Sequence, residues 1–261
     1  MSEDATALRQ AVYGGARRVL PPGDASRALV AAVWAVVEAA LGPDPRRVHE
    51  RLTTPALLDR LAEARAALRA EPFRGLVHAV MRAAGQAPEA CAVDLLRLRA
   101  VTPGGWRAPG AAVAWSVHRD TWYANPRAQL NWWIPLHDVS ARDGLRFLPA
   151  SFGFPVENDS ARFDYDVFMR QAGWQARQGG AVYPHATGPE AEADGVGQGM
   201  AAAAVLLFSA DQLHRSPRFD GPLTRLSVDF RSVHRADRAA GLGAPGVDAR
   251  CTGDASKDYP W

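Results

Sequence analysis

The chain has 261 residues, 48% of them hydrophobic, and a formal net charge of +2, which supplies apolar material for one sizeable core. Its 30 basic and 28 acidic residues are mixed along the length, and all the basic ones except Lys257 are arginine; no basic run alternates with aromatics as a nucleic-acid groove requires. Two cysteines, Cys91 and Cys251, are too few for a disulfide framework or a thiolate metal site, so a reducing cytoplasm is the expected compartment.

The N-terminal "MSEDATALRQ" is polar and acidic, unlike a secretory signal. The most apolar run, Ala28 to Val37, stops at Glu38 and is too short to span a bilayer, so no membrane partner is expected. The first predicted helix is "DASRALVAAVWAVVEAALG", with Asp24 or Ser26 as cap and Gly42 as stop. A second takes Thr54 as cap and Pro55 at its first position, with Leu57, Leu58, Leu61 and Leu68 at helical spacing. A third runs from about Pro72 to Ala84 with Phe73, Leu76, Val77, Val80 and Met81 on one side.

Beyond Pro88 the pattern changes to short apolar or alternating segments: "CAVDLLRLRAV", "AAVAWSVH", "AQLNWWIPLHDV", "GLRFLPASF", "AAAAVLLFS" and "TRLSVDFRSVH". Gly, Pro, Asn and Asp clusters separate them, which predicts an all-β sandwich or barrel. A long insertion between Phe152 and Met200 holds Phe154, Tyr165, Trp174 and Tyr183, and such loops often build or cover a binding site. The expected organisation is one domain: a helical layer over 1–88, a β core over 89–235 with an insertion at 153–199, and an irregular tail over 236–261.

Within "SVHRDTWY" (116–123), His118 and Asp120 are one residue apart. On a strand they point to one face, side by side. Alone, the pair reads as a strand-end histidine bonded to a neighbouring carboxylate. Support comes from "VLLFSADQLHRSPRFDGPLTRLSVDF", where an apolar strand ends in a polar turn and His214, with Ser216 two residues on and Arg225 eleven residues on. Two imidazoles and one carboxylate, with the other positions open, is the ligand set of mononuclear iron(II) oxygenases; His118, Asp120 and His214 provide it. Arg225 alone reads as a surface ion pair. Beside such a site its planar guanidinium would hold the distal carboxylate of a dicarboxylate, and Ser216 would add a hydroxyl.

These pieces, together with "NWWIPLHDVSARDGLRFLPAS", resemble the phytanoyl-CoA dioxygenase-type branch of the iron(II)/2-oxoglutarate-dependent oxygenases. The resemblance spans roughly 94–234. Trp133 matches the family's strand tryptophan, Gly144 its glycine, and Pro149 with Ser151 its closing turn; Ala150 and Phe152 depart from its usual Gly and His. It implies a mainly β fold with flanking α-helices, whose core is a double-stranded β-helix (a cupin-like jelly-roll) behind an N-terminal helical layer. It further implies Fe(II), 2-oxoglutarate as co-substrate and O2, with His118, Asp120 and His214 as the metal and catalytic set. Arg225 and Ser216 would bind the co-substrate's C5 carboxylate and Trp133 would pack on its methylenes.

The implied reaction is oxidation of an unactivated C–H bond of a small molecule, with hydroxylation as the default. Because related halogenases lack the carboxylate, Asp120 argues against halogenation. Asn131 shares a strand face with Trp133 and is expected to hydrogen-bond co-substrate or substrate; Gln129 shares that face with less reason to be chosen. Trp122 and Tyr123 are expected to line the substrate side, with core packing an equal alternative for Trp122. His137 in the "PLHD" turn reads as structural. The competing readings are a 2-oxoglutarate-independent cupin, which commonly uses three histidines and has no need of Arg225, and a non-catalytic ligand-binding jelly-roll. An arginine-rich, GC-rich composition is associated with bacterial secondary metabolism.

Overall fold

A computed structural model of the chain describes residues 4–107, 115–171, 183–218 and 220–260. Trp174 and the first half of the expected strand at 111–118 lie outside these residues. The helical layer comprises α1 (Ala5–Tyr13), α2 (Asp24–Leu41), α3 (Thr54–Ala67) and α4 (Phe73–Ala83), with strand β1 (Arg18–Leu20) between the first two. In α2 the positions Leu29, Val33, Val37 and Leu41 recur every fourth residue and are buried against α3 and α4. That packed face belongs to a helix apolar and long enough to pass for a membrane span by composition. Gly23 is its N-cap, with Ser26 Oγ bonded to the Gly23 backbone at 3.1 Å, and Gly42 ends it at φ +77°. Thr53, one residue earlier than expected, caps α3.

Eight further strands follow: β2 (Cys91–Val93), β3 (Arg97–Val101), β4 (Gln129–Pro135), β5 (Arg146–Phe147), β6 (Val196–Gly197), β7 (Val205–Ser209), β8 (His214–Arg215) and β9 (Arg225–His234). The larger sheet runs β1-β7-β4-β9-β2, with β3 also on β9, and the smaller runs β6-β5-β8; every pairing is antiparallel. Side chains alternate between faces along each strand. Leu98, Leu130, Trp132, Ile134, Leu207, Leu226, Val228 and Phe230 of the larger sheet pack with the helical layer. On the opposite face Trp133, Leu206 and Phe208 meet Phe147 of the smaller sheet, closing a second core with Val139, Leu145 and Met200. Two antiparallel sheets wrapped on one core, with helices on one outer face, form a double-stranded β-helix. Helical residues nonetheless outnumber strand residues along the chain.

Central strand β4 is buried along its whole length, the polar Gln129 and Asn131 included. The expected strand at 144–152 shortens to β5, followed by a 3-10 turn at Pro149–Ser151. Gly144 lets the turn at 140–144 lie on the backbone of 197–199: a Cβ there would sit 1.9 Å from the Gln198 carbonyl oxygen. The tail is more ordered than its composition suggests, with a helix at Arg235–Ala239 and a 3-10 turn at Ala255–Asp258.

Candidate metal centre

His118 and His214 are brought together by backbone pairing. They form an isolated antiparallel bridge in which each amide donates to the other's carbonyl, at 3.0 and 2.9 Å. Their rings lie 4.4 Å apart, and the donor atoms of His118, Asp120 and His214 all fall within 4.8 Å of one another. Each Nδ1 faces the carbonyl oxygen two residues upstream: Ser116 O for His118 and Gln212 O for His214, both at 2.9 Å. A carbonyl only accepts, so Nδ1 carries the proton and Nε2 presents its lone pair. His118 Nε2 lies 3.7 Å from Asp120 Oδ1. Burial, reinforced by His214 alongside, lowers the His118 imidazole to about 4, so it is a neutral ligand at neutral pH.

Asp120 does not extend a strand. Arg119 is extended, and Asp120 opens the 3-10 turn Asp120–Tyr123. Its Oδ2 accepts from Asn131 Nδ2 at 2.7 Å and Gln129 Nε2 at 3.3 Å, with Arg231 Nε at 3.7 Å, which leaves Oδ1 facing the histidines. Burial alone would raise this carboxyl; Arg231, then His214 and His118, outweigh it and hold it at about 2. Two imidazole nitrogens and one ionised oxygen, each with its other polar atom tied back, fit a divalent metal ion.

The turn is fixed from behind by Arg119, which is fully buried. Its guanidinium donates to the carbonyls of Asp211, Ser151 and Phe154 and pairs with the carboxylates of Asp211 at 3.5 Å and Asp248 at 3.2 Å. Asp211 also accepts from Thr121 Oγ1, and Asp248 from Trp122 Nε1 at 2.8 Å. One network therefore ties the loop carrying His118 and Asp120 to the loop leading into His214. Arg119, Asp211 and Asp248 are not singled out by sequence reasoning, because charged residues of this kind normally read as surface.

Arg225 is 3% exposed and lies over the Trp133 ring, with its guanidinium carbon 5.7 Å from the ring centroid. One nitrogen donates to Asp143 O at 3.1 Å, which the close-packed Gly144 turn delivers, while Nε has no hydrogen-bond partner. Burial, with the like charge of Arg99, lowers this guanidinium to about 10. Trp133 Nε1 donates to Ser227 Oγ at 3.1 Å. Ser216 lies half-buried just beyond β8.

Asn131 is placed differently from expectation, and Trp122 takes the core-packing alternative. Asn131 has both ends of its amide engaged, by Asp120 and by Gln129 Nε2 at 2.8 Å, so it supports the carboxylate rather than facing a co-substrate. Trp122 is fully buried in a cluster with Val117, Leu148, Val156, Ala186 and Leu213. In a 3-10 turn residues i and i+3 eclipse, so Tyr123 returns to the side of Asp120. Its ring lies 5.3 Å from His118 and packs with Phe163 and with Tyr183 from the insertion. His137 accepts from the Leu226 amide at 3.0 Å, a structural role.

No family model matches the sequence, and no curated protein sequence matches it. Among solved structures, EvdO2 from Micromonospora carbonacea var. aurantiaca is 15% identical over 90% of this chain and 92% of its own, with a TM-score of 0.50. ThoJ in its apo form, a non-heme monooxygenase, is 15% identical over 87% of this chain and 77% of its own, with a TM-score of 0.53. EvdO2 complexed with 2-oxoglutarate aligns at 16% identity over 89% of this chain and 92% of its own, with a TM-score of 0.49. At these identities the shared property is the fold.

Proposed function

We propose that the chain is a mononuclear non-haem iron(II) oxygenase that uses 2-oxoglutarate and O2 to oxidise, by hydroxylation, an unactivated C–H bond of a small-molecule metabolite in the cytoplasm. The observation that carries this reading is the convergence of His118 Nε2, His214 and Asp120 Oδ1 in one buried cluster beside an under-partnered, buried Arg225. ThoJ, which shares the fold, is a non-heme monooxygenase, in keeping with this assignment. Iron(II) with 2-oxoglutarate and dioxygen supplies the oxidising power, the co-substrate leaving as succinate and carbon dioxide.

The chain's own residues bind, orient and exclude water. His118, Asp120 and His214 would hold the metal. Arg225 would take the co-substrate's distal carboxylate, Trp133 would flank its methylenes, and Ser216 would add a hydroxyl. Tyr123, Phe163, Phe168 and Tyr183 pack as an aromatic cluster beside His118 and would shield the substrate side from solvent. A carboxylate as third ligand and a buried cation with no carboxylate at ion-pair distance among the described residues favour this over a three-histidine cupin.

The test is purified protein with iron(II), ascorbate and 2-oxoglutarate, followed for succinate and for a 2-oxoglutarate-dependent rise in melting temperature. Slow turnover without substrate is expected. Metal binding with neither succinate nor thermal shift refutes the use of 2-oxoglutarate; no metal binding refutes the enzyme.

A further inference from the structure

The C-terminal tail reaches two amides that bond to Asp120. Tyr259 Oη lies 2.5 Å from Gln129 Oε1 and 3.1 Å from Asn125 Oδ1. Both amides touch Asp120: Gln129 Nε2 approaches its Oδ2, and Asn125 Nδ2 donates to its backbone carbonyl at 2.9 Å. An amide can turn over end for end, and a Gln129 turned the other way would set its oxygen against an ionised carboxylate. Asn131 Oδ1, which accepts from Gln129 Nε2 at 2.8 Å, opposes this from the near side, and the phenol adds a donor to Gln129 Oε1 on the far side. Burial raises the Tyr259 phenol well above its usual range, so it keeps its proton and remains a donor.

The tail is seated independently of this contact. The Ala255 amide donates to Ala124 O at 2.9 Å, Arg238 pairs with Asp254 and donates to Ser256 Oγ, and Tyr165 Oη donates to Asp258 at 2.7 Å. Lys257 pairs with Asp166, on the insertion helix Tyr165–Gln171. The segment therefore bridges the insertion that borders the aromatic cluster and the amides that orient Asp120.

We infer that Tyr259 is a positioning residue for the metal: its hydroxyl, acting through Gln129, locks the rotamer in which Asp120 Oδ1 faces His118 and His214. The inference rests on the proposed metal site but not on the use of 2-oxoglutarate or on the reaction. Outer-shell hydrogen bonds of this kind typically change metal affinity about 10–100-fold. Removing a hydroxyl one residue further out is expected to act at the lower end of that range.

The test is titration of the metal-free 261-residue chain with Co(II), followed by its visible absorption. Tyr259→Phe keeps the ring and should bind Co(II) about tenfold more weakly with an altered spectrum. Lys257→Met loosens the tail surface but keeps the hydroxyl, and should bind as the wild type does. In a Gln129→Leu background, adding Tyr259→Phe should cause no further loss, because the hydroxyl acts through that amide. Wild-type affinity and spectrum in Tyr259→Phe would overturn the inference while leaving the metal site standing. So would an equal loss in Lys257→Met, or additive losses in the double variant. A wild-type protein that binds no Co(II) or Fe(II) would remove both the site and the inference.

Discussion

Replacing Arg225 with methionine separates stability from binding in a way few substitutions can. The guanidinium is 3% exposed, has a neutral carbonyl as acceptor and leaves Nε without a partner. Its fall to about 10 corresponds to about 3 kcal/mol lost by the charged form on folding, and at pH 7 that cost is present in full. Methionine spans a similar length without the charge, and apolar replacements of buried ionic groups are often neutral or stabilising. Without co-substrate the variant should therefore be as stable as the wild type or more so, by up to about 3 kcal/mol, where each kcal/mol is about 2–4 °C at this chain length. Co-substrate binding should move the other way. Losing one partner of a buried charge pair costs about 2–5 kcal/mol, so at about 3 kcal/mol the 2-oxoglutarate dissociation constant should rise roughly 150-fold. Fe(II) or Co(II) affinity should stay near the wild-type value. Thermal melts with and without 2-oxoglutarate, together with metal titration, read all three. A less stable apo variant that still binds 2-oxoglutarate normally, or equal losses of metal and 2-oxoglutarate, would refute the reasoning.

Asp120→Gly should abolish succinate formation and weaken metal binding at least 100-fold, since it removes the charged ligand; normal turnover would show that Asp120 is not one. Metal-free protein should lose about 3 kcal/mol between pH 6.5 and 4, because His118 protonates near 6.5 when unfolded but only near 4 when folded, so the unfolded chain binds the extra proton across that window. Melts of His118→Gln in EDTA should lack that component. Below that window Asp120 acts in the same direction: its folded value near 2 gives stability that is present above about 4 and lost as pH falls through 2. Arg119→Met strands the carboxylates of Asp211 and Asp248 in the interior and should cost about 3–5 kcal/mol, seen as a lowered denaturation midpoint, although Arg119 touches no ligand atom.

The convergence of His118, Asp120 and His214 was legible because coordination chemistry restricts residue type far more than folding does. Few side chains can fill a two-imidazole, one-carboxylate site, and the apolar strand before His214 marks where the second imidazole emerges. Helix α2 was legible for a different reason, the period that burial of one face imposes, and strand β7 because burial on both faces gives a short apolar run. What a sequence hides is buried polarity. Arg119, Asp211, Asp248 and Tyr259 look like surface residues, and only the fold reveals that each is enclosed and paired.

The tryptophan–tyrosine pair after Asp120 shows how one local error of period propagates to a site. A strict strand would send Trp122 to the side of His118 and Asp120 and turn Tyr123 away, although both were expected to line the substrate side. The chain is extended only through Arg119, and the period becomes three from Asp120 onward. Tyr123 then shares the side of Asp120, beside the His118 ring, and Trp122 is delivered to Asp248. The cause is tertiary: Thr121 and Trp122 have hydrogen-bond acceptors waiting in Asp211 and Asp248, and the Thr121 amide is taken by Ala210 O, so the turn gains more polar partners than a straight strand would find. A strand argument can thus bring residues i and i+2 to one side even though the second of them is not on a strand. Only the first peptide unit between them has to be extended, and everything past the carboxylate is free to turn toward whatever holds it.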